Sequence, residues 1–143
     1  MKIKCLLVDD EHLALALLEN FIQRTPDLEV VEKCKSPIRA VEVLQTQAVD
    51  LLFLDIQMPL LNGVSLLKAI SHRPVTIFTT AYAQHAHEAF DLDAADYLLK
   101  PYSFERFEHA LGKARALLLS RQETAIGRPE GFLTVKADRQ WVK

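Results

Sequence analysis

Short apolar runs alternate with helical patterns five times along this chain, and that alternation narrows the fold more than any single motif. Ile3-Lys4-Cys5-Leu6-Leu7-Val8 reads as a strand that stops at Asp9-Asp10-Glu11. From His12 the period becomes helical: Leu13, Leu17 and Phe21, with Ala14, Leu18 and Ile22 beside them, make one broad apolar face. Thr25-Pro26-Asp27 ends that helix, and Leu28 to Lys33 forms a second strand. Ser36-Pro37, a cap followed by proline in the first turn, opens a helix with Ala40, Val41 and Leu44 inward. Leu51-Leu52-Phe53-Leu54 is an unbroken apolar run, the mark of a strand buried on both faces; it ends in Asp55, and Pro59 forbids further pairing. Asn62-Gly63 starts a third helix with Val64, Leu67 and Ile70 inward, which Arg73-Pro74 breaks. Val75 to Thr79 is a fourth strand, followed by Thr80-Ala81 and a fourth helix from about Gln84 to Asp91. Ala95 to Leu99 is a fifth strand closed by Lys100-Pro101, and Ser103 caps the longest helix, where Phe104, Phe107, Leu111, Ala114 and Leu118 recur at helical spacing. Strict alternation of this kind predicts an α/β fold with a parallel sheet covered by helices on both faces.

The 143 residues suffice for one domain with a real core and a short extension. From Arg121 the apolar pattern lapses, and Gly127, Pro129 and Gly131 punctuate the next ten residues. We therefore expect a domain over 1–120, a linker over 121–131, and the start of a second domain over 132–143, where Phe132-Leu133-Thr134-Val135-Lys136 begins a strand that cannot bury itself. A formal net charge of -2 gives no sign of a nucleic-acid-binding face on the chain as a whole. No apolar run reaches membrane-span length, and the charges from Asp9 to Glu11 follow Val8 too soon for a signal-peptide core, so a cytoplasmic location is expected, with no membrane contact. Cys5 and Cys34 lie in or beside apolar runs and match no compact metal-ligand spacing, which suits two buried thiols in a reducing compartment.

A core strand has no use for a terminal carboxylate, but the carboxyl edge of a parallel sheet is where open α/β folds bind their ligands. Asp9 and Asp10 follow the first strand, Asp55 ends the third, Thr80 the fourth and Lys100 the fifth, so all converge on that edge. Carboxylates about 4 Å apart at an effective dielectric near 20 repel by roughly 4 kcal/mol. Such a cluster either shifts a pKa or holds a hard cation, and an all-oxygen donor set suits Mg2+. An acidic metal site, a hydroxyl and a lysine together fit phosphoryl transfer, with Asp55 as nucleophile and Thr80 and Lys100 donating to phosphoryl oxygens. No further base stands where it would activate water, which favours a persistent aspartyl phosphate over rapid turnover.

Val8-Asp9-Asp10-Glu11, Leu54-Asp55-Ile56-Gln57-Met58-Pro59, Thr79-Thr80-Ala81 and Tyr97-Leu98-Leu99-Lys100-Pro101 resemble the motifs of the receiver domain of two-component response regulators, in order, over about Lys2 to Ser120. The resemblance implies a flavodoxin-like, doubly wound (βα)5 fold with sheet order 2-1-3-4-5. It implies that Asp55 accepts a phosphoryl group from a sensor histidine kinase. Asp10, Asp55 and the Gln57 carbonyl would ligate Mg2+, with Asp9 acting through water. Lys100-Pro101 would be a cis peptide, and Thr80 and Tyr97 would form a switch that remodels the surface of the fourth helix, fifth strand and fifth helix. Phe78-Thr79-Thr80-Ala81-Tyr82 and Ala94-Ala95-Asp96-Tyr97-Leu98-Leu99-Lys100-Pro101-Tyr102 are similar to receivers of the LytTR class, and the segment from Phe132 to Lys143 is similar to the start of a LytTR DNA-binding domain. The chain would then be the input half of a transcription regulator, reaching DNA only through a further C-terminal domain.

Plainer readings stand beside these. Asp9-Asp10 is also a suitable helix entry, Thr80 a suitable N-cap, and Lys100 a snorkelling surface lysine. Tyr97 on a strand is ordinarily just packed. Asp91, Asp93 and Asp96 lack the Gly and Glu of a calcium loop, and His85 and His87 sit two apart, on different sides of a helix. Leu117 and Leu119 widen the last apolar stripe beyond one face, which suits a homodimer contact or a packing surface for a following domain. Two other functions compete: a partner-binding pseudo-receiver, and a phosphatase of the haloacid dehalogenase type, whose Asp-x-Asp motif has its second acid replaced here by Gln57.

Overall fold

The computed structural model describes residues 2–58, 72–85 and 93–126, together with Lys68, Ile70 and Asp91. Its five strands are β1 (Ile3–Val8), β2 (Leu28–Cys34), β3 (Leu51–Asp55), β4 (Val75–Thr80) and β5 (Asp96–Leu99). They form one parallel sheet in the order β2-β1-β3-β4-β5. This is the flavodoxin-like order the motifs imply. The helices are α1 (His12–Gln23), α2 (Pro37–Thr46) and the long α3 (Phe104–Ile126), with a short 3-10 turn at Ala83–His85. Residues 59–67, 86–90 and 127–143 lie outside the description, and with them most of the expected third and fourth helices and the expected second domain.

β3 and β4 are buried at every position, as interior strands with helices on both faces must be. Side chains alternate between two cores. Leu7, Phe53, Ile77 and Leu98 pack with Leu15, Leu18 and Ile22 of α1 and with Phe107, Ala110, Leu111 and Ala114 of α3. Leu6, Val8, Leu52, Leu54 and Phe78 pack with Ala40 and Val43 of α2, and Ile70 rests against that second core. In the first core Phe107 stacks on Phe53 with ring centroids 5.7 Å apart and tilts against Phe21 at 5.3 Å. Both cores end at the carboxyl edge of the sheet, so the residues beyond it rest on a rigid apolar floor.

Caps set where the helices begin. Ser36 Oγ accepts from the amides of Ile38 and Arg39 at 3.1 and 3.4 Å, and Ser103 Oγ accepts from Arg106 N at 3.0 Å. One expectation is corrected. Leu13, placed on the inner face of α1 by its period, is 80 % exposed. It stands five residues before buried Leu18, about 140° around the helix, so the face that meets the sheet is set by Leu15, Leu18 and Ile22 instead. α3 continues past Ser120 to Ile126 although the apolar pattern lapses at Arg121. Arg121, Gln122, Glu123 and Ala125 are good helix formers, and propensity extends a helix that is already nucleated. Cys5 and Cys34 are free and buried, and burial pushes their thiols up to about 12 and about 11.

Candidate functional site

Strand ends deliver the functional groups to one edge. Asp9 leaves β1 with its amide donating to Cys34 O at 3.0 Å, which ties it to the end of β2. Asp55 is the last residue of β3 and is only 4 % exposed. Lys100 follows β5, and its amide donates to Thr80 O at 2.7 Å, which fixes it beside the end of β4. Lys100 Nζ lies 2.8 Å from Asp9 Oδ2, 3.4 Å from Glu11 Oε1 and 3.8 Å from Asp55 Oδ2. Asp9, Asp10 and Asp55 each offer a carboxylate oxygen within 4.8 Å of the others; Asp9 and Asp55 are buried and Asp10 is exposed. The Lys100–Pro101 peptide is cis.

The charge at this edge is unbalanced: among the described residues, the Lys100 ammonium faces the carboxylates of Asp9, Glu11 and Asp55, and Asp10 adds a fourth acid to the cluster. Burial, then the charge of Asp9, pushes the Asp55 carboxyl up to about 7, even though Lys100 and the Gln57 amide pull the other way. Burial pulls Lys100 down, but its bond to Asp9 and the charges of Asp55, Asp9 and Glu11 outweigh that and leave it above its ordinary value. A divalent cation would relieve the same repulsion. The donor set is all hard oxygen, and one carboxylate oxygen from each of Asp9, Asp10 and Asp55 already converges within 4.8 Å, so the residues present fit that ion.

The remaining expected residues surround this centre. Gln57 is exposed, and its amide donates to Asp55 Oδ1 at 3.1 Å, a turn that holds the Asp55 side chain in place. Thr80 is buried at the end of β4, where its Oγ1 accepts from Tyr82 N at 3.0 Å, so the hydroxyl does take up a turn-capping role. Tyr97 is half-buried against the α2-side core.

Three features escape a reading of the sequence alone. Glu11 adds a third acid to Lys100, beside Asp9 and Asp55, and the acidic run Asp9-Asp10-Glu11 was the available signal. Asp96, at the start of β5, takes a two-pronged contact from Arg106, with Nη1 to Oδ2 at 2.9 Å and Nη2 to Oδ1 at 3.1 Å. Arg106 Nη2 also donates to Tyr97 O at 2.9 Å, so α3 is clamped to the strand that carries Tyr97 and leads to Lys100. Tyr102, beyond the cis proline, packs on Phe21, and its hydroxyl is raised by burial and by the nearby charge of Asp9.

Comparison with known proteins places this geometry among relatives. Residues 5–112 match the family model described as response regulator receiver domain. The chain is 40 % identical over 115 residues to the transcriptional regulatory protein BtsR of Escherichia coli strain K12, covering 79 % of this chain and 48 % of that protein. It is 38 % identical over 125 residues to the sensory transduction protein LytT of Bacillus cereus, covering 85 % and 51 % respectively. It thus spans about half the length of the curated relatives it matches. Among solved structures, the response regulatory domain of protein mrkE from Klebsiella pneumoniae superposes with a TM-score of 0.75 at 36 % identity, over 82 % of this chain and 99 % of that one.

Proposed function

The chain belongs to the response regulator receiver domain family, and from that membership we propose that Asp55 is a phosphoacceptor served by a sensor histidine kinase and Mg2+. The full regulator would carry a C-terminal DNA-binding domain of the LytTR type and control transcription in the cytoplasm. The observation that carries the reading is Asp55 itself: a buried carboxylate at a strand end, ringed by Asp9 and Asp10 within 4.8 Å and facing one ammonium at 3.8 Å.

In the transfer, an Oδ of Asp55 attacks the phosphorus of a phosphohistidine. The P–N bond breaks, its electron pair returns to the imidazole, and an acyl phosphate forms on Asp55. Asp10, Asp55 and the Gln57 carbonyl would hold Mg2+, with Asp9 acting through water, and the bound ion supplies neutralisation of phosphoryl charge. Lys100 moves its ammonium from the carboxylates to a phosphoryl oxygen, and the Thr80 hydroxyl turns to another. The departure of Thr80 leaves room for the Tyr97 ring. That rearrangement reshapes the face of β5 and α3, where Leu99 and Leu119 are exposed, and this face would mediate a homodimer. The protein works as a signalling switch and not as a turnover enzyme.

Intact mass after incubation with a small acyl phosphate tests the reading. Wild type should gain one phosphoryl group only when Mg2+ is present, and Asp55→Asn should gain none. A folded wild type that takes up no phosphate would instead favour a partner-binding pseudo-receiver.

A further inference from the structure

At the amino edge of the sheet, the end opposite Asp55, a groove of about 580 Å³ opens between the start of β1, the residues leading into β3 and the last turns of α3. Ile3, Val49 and Leu118 give it an apolar wall, and Lys2, Lys4 and Arg121 give it a basic rim. Ile3 and Leu118 pack on the core under α1 and α3, and Val49 packs on the core under α2, so the groove straddles both. Asp50 is the acid among the lining residues, and its Oδ2 accepts from the Lys4 amide at 2.9 Å. The α3 side of the groove is held in place: Arg121 Nη1 donates to Arg73 O at 3.2 Å, which fastens the helix beyond Ser120 to the residues before β4. A volume of this size admits two or three large side chains, and its lining suits a segment that is apolar with an acidic end.

The chain itself supplies such a segment within reach. Gln122 lines the groove, and α3 ends four residues later at Ile126, ~6 Å further along the helix axis. Gly127 and Pro129 follow, the residue types that stop a helix and let the chain reverse. From Ile126 to Phe132 the chain can span about 20 Å, more than the return to the groove needs. Glu130, Phe132 and Leu133 then offer one acid and two large apolar side chains, the complement of a basic rim and an apolar wall. Arg128, the cation of this stretch, falls within the reversal between Gly127 and Pro129. A tether this short gives an effective concentration of about millimolar, so a weak contact suffices to keep the groove filled.

We propose that this groove seats the segment that follows α3, with Phe132 and Leu133 against Ile3, Val49 and Leu118, and with Glu130 facing Lys2, Lys4 and Arg121. The amino edge of the sheet is then a second working surface, the one on which the receiver holds what comes after it. This contact does not depend on the chemistry of Asp55. Backbone amide relaxation and chemical shifts, measured by NMR on the 143-residue chain, test it with wild type, Phe132→Ser and Ala48→Glu. Ala48 lines the groove and is exposed, so its replacement fills the groove and repels Glu130 without entering either core. The sheet resonances report whether each variant is folded. Order parameters over Glu130 to Leu133 should be about 0.8 in wild type and fall below about 0.6 in both variants. Phe132→Ser should also shift the amides of Lys2 to Lys4, Val49 and Arg121 and leave those of Asp9, Asp55 and Lys100 in place. Order parameters below about 0.6 in wild type overturn the inference, as does an Ala48→Glu chain as ordered as wild type. Shifts that fall elsewhere than the groove overturn it too. Order that is lost on dilution overturns it by giving the groove to a second copy of the chain.

Discussion

Asp55 and Asp96 are both nearly buried carboxylates at strand ends, 4 % and 7 % exposed, yet their surroundings drive them in opposite directions. Burial raises both. At Asp96 the two-pronged contact from Arg106, the Tyr97 amide and the charge of Lys113 outweigh it, and the carboxyl ends below its ordinary value. At Asp55 the neighbouring acids add to burial, one ammonium at 3.8 Å does not compensate, and the carboxyl ends near 7. A carboxylate whose charge is fully answered is a strut. One whose charge is left unanswered binds a cation, gives its electron pair to an electrophile, or takes a proton. The difference lies in the company each carboxylate keeps and not in how deeply it is buried.

The largest effect that can break this contrast is at Lys100. Lys100→Met should cut the phosphorylation rate from a small acyl phosphate by about 10²-fold or more, the usual loss for one preorganised donor. An unchanged rate would mean that its ammonium only balances Asp9. Next comes Asp55 without metal. The folded state keeps the Asp55 proton up to about pH 7, while the unfolded chain releases it near 3.8. The folded state therefore binds more protons between those values, and wild-type stability falls as pH rises through that window. Asp55→Asn escapes this loss. In chelator-treated buffer it should exceed wild type by about 2 to 3 kcal/mol at pH 8 and by little near pH 4, as read by urea unfolding. Equal stabilities at pH 8 would show that the carboxylate is not strained.

The smallest effects test the strut. Arg106→Met leaves Asp96 buried with poorer partners and should cost about 2 kcal/mol while wild-type phosphorylation kinetics persist. Arg115 makes the same two-pronged contact with Asp27, at 2.9 and 2.7 Å, but both side chains are over 40 % exposed. Arg115→Ala should therefore cost no more than about 0.5 kcal/mol in the same urea titration. Equal costs at the two arginines would show that burial does not separate them.

Much of this was legible in the sequence because the fold places function at strand ends. Apolar runs broken by Asp9, Asp55, Thr80 and Lys100 mark both the strands and the edge where they converge, and parallel topology brings distant residues together. What escaped has physical reasons. Leu13 fits an apolar period, but a period does not say where the sheet stops covering a helix. The end of α3 carries no apolar repeat because it needs none, so only propensity signals it. The Asp96–Arg106 clamp joins residues ten apart across a strand, a loop and a helix start, and no fixed helical or strand spacing announces such a pair. Thr79 looks like an ordinary β-branched strand residue until its hydroxyl is seen to lack a partner.

The most direct test of the central claim is chemical mapping of the modified residue. Protein phosphorylated with a small acyl phosphate and Mg2+ is reduced with borohydride, which converts an aspartyl phosphate to homoserine, and is then digested and sequenced by mass spectrometry. Conversion at position 55 alone, with Asp9, Asp10 and Asp96 untouched, is the result this account predicts. Conversion at Asp9 or Asp10, or a phosphoryl adduct that borohydride does not reduce, would contradict it.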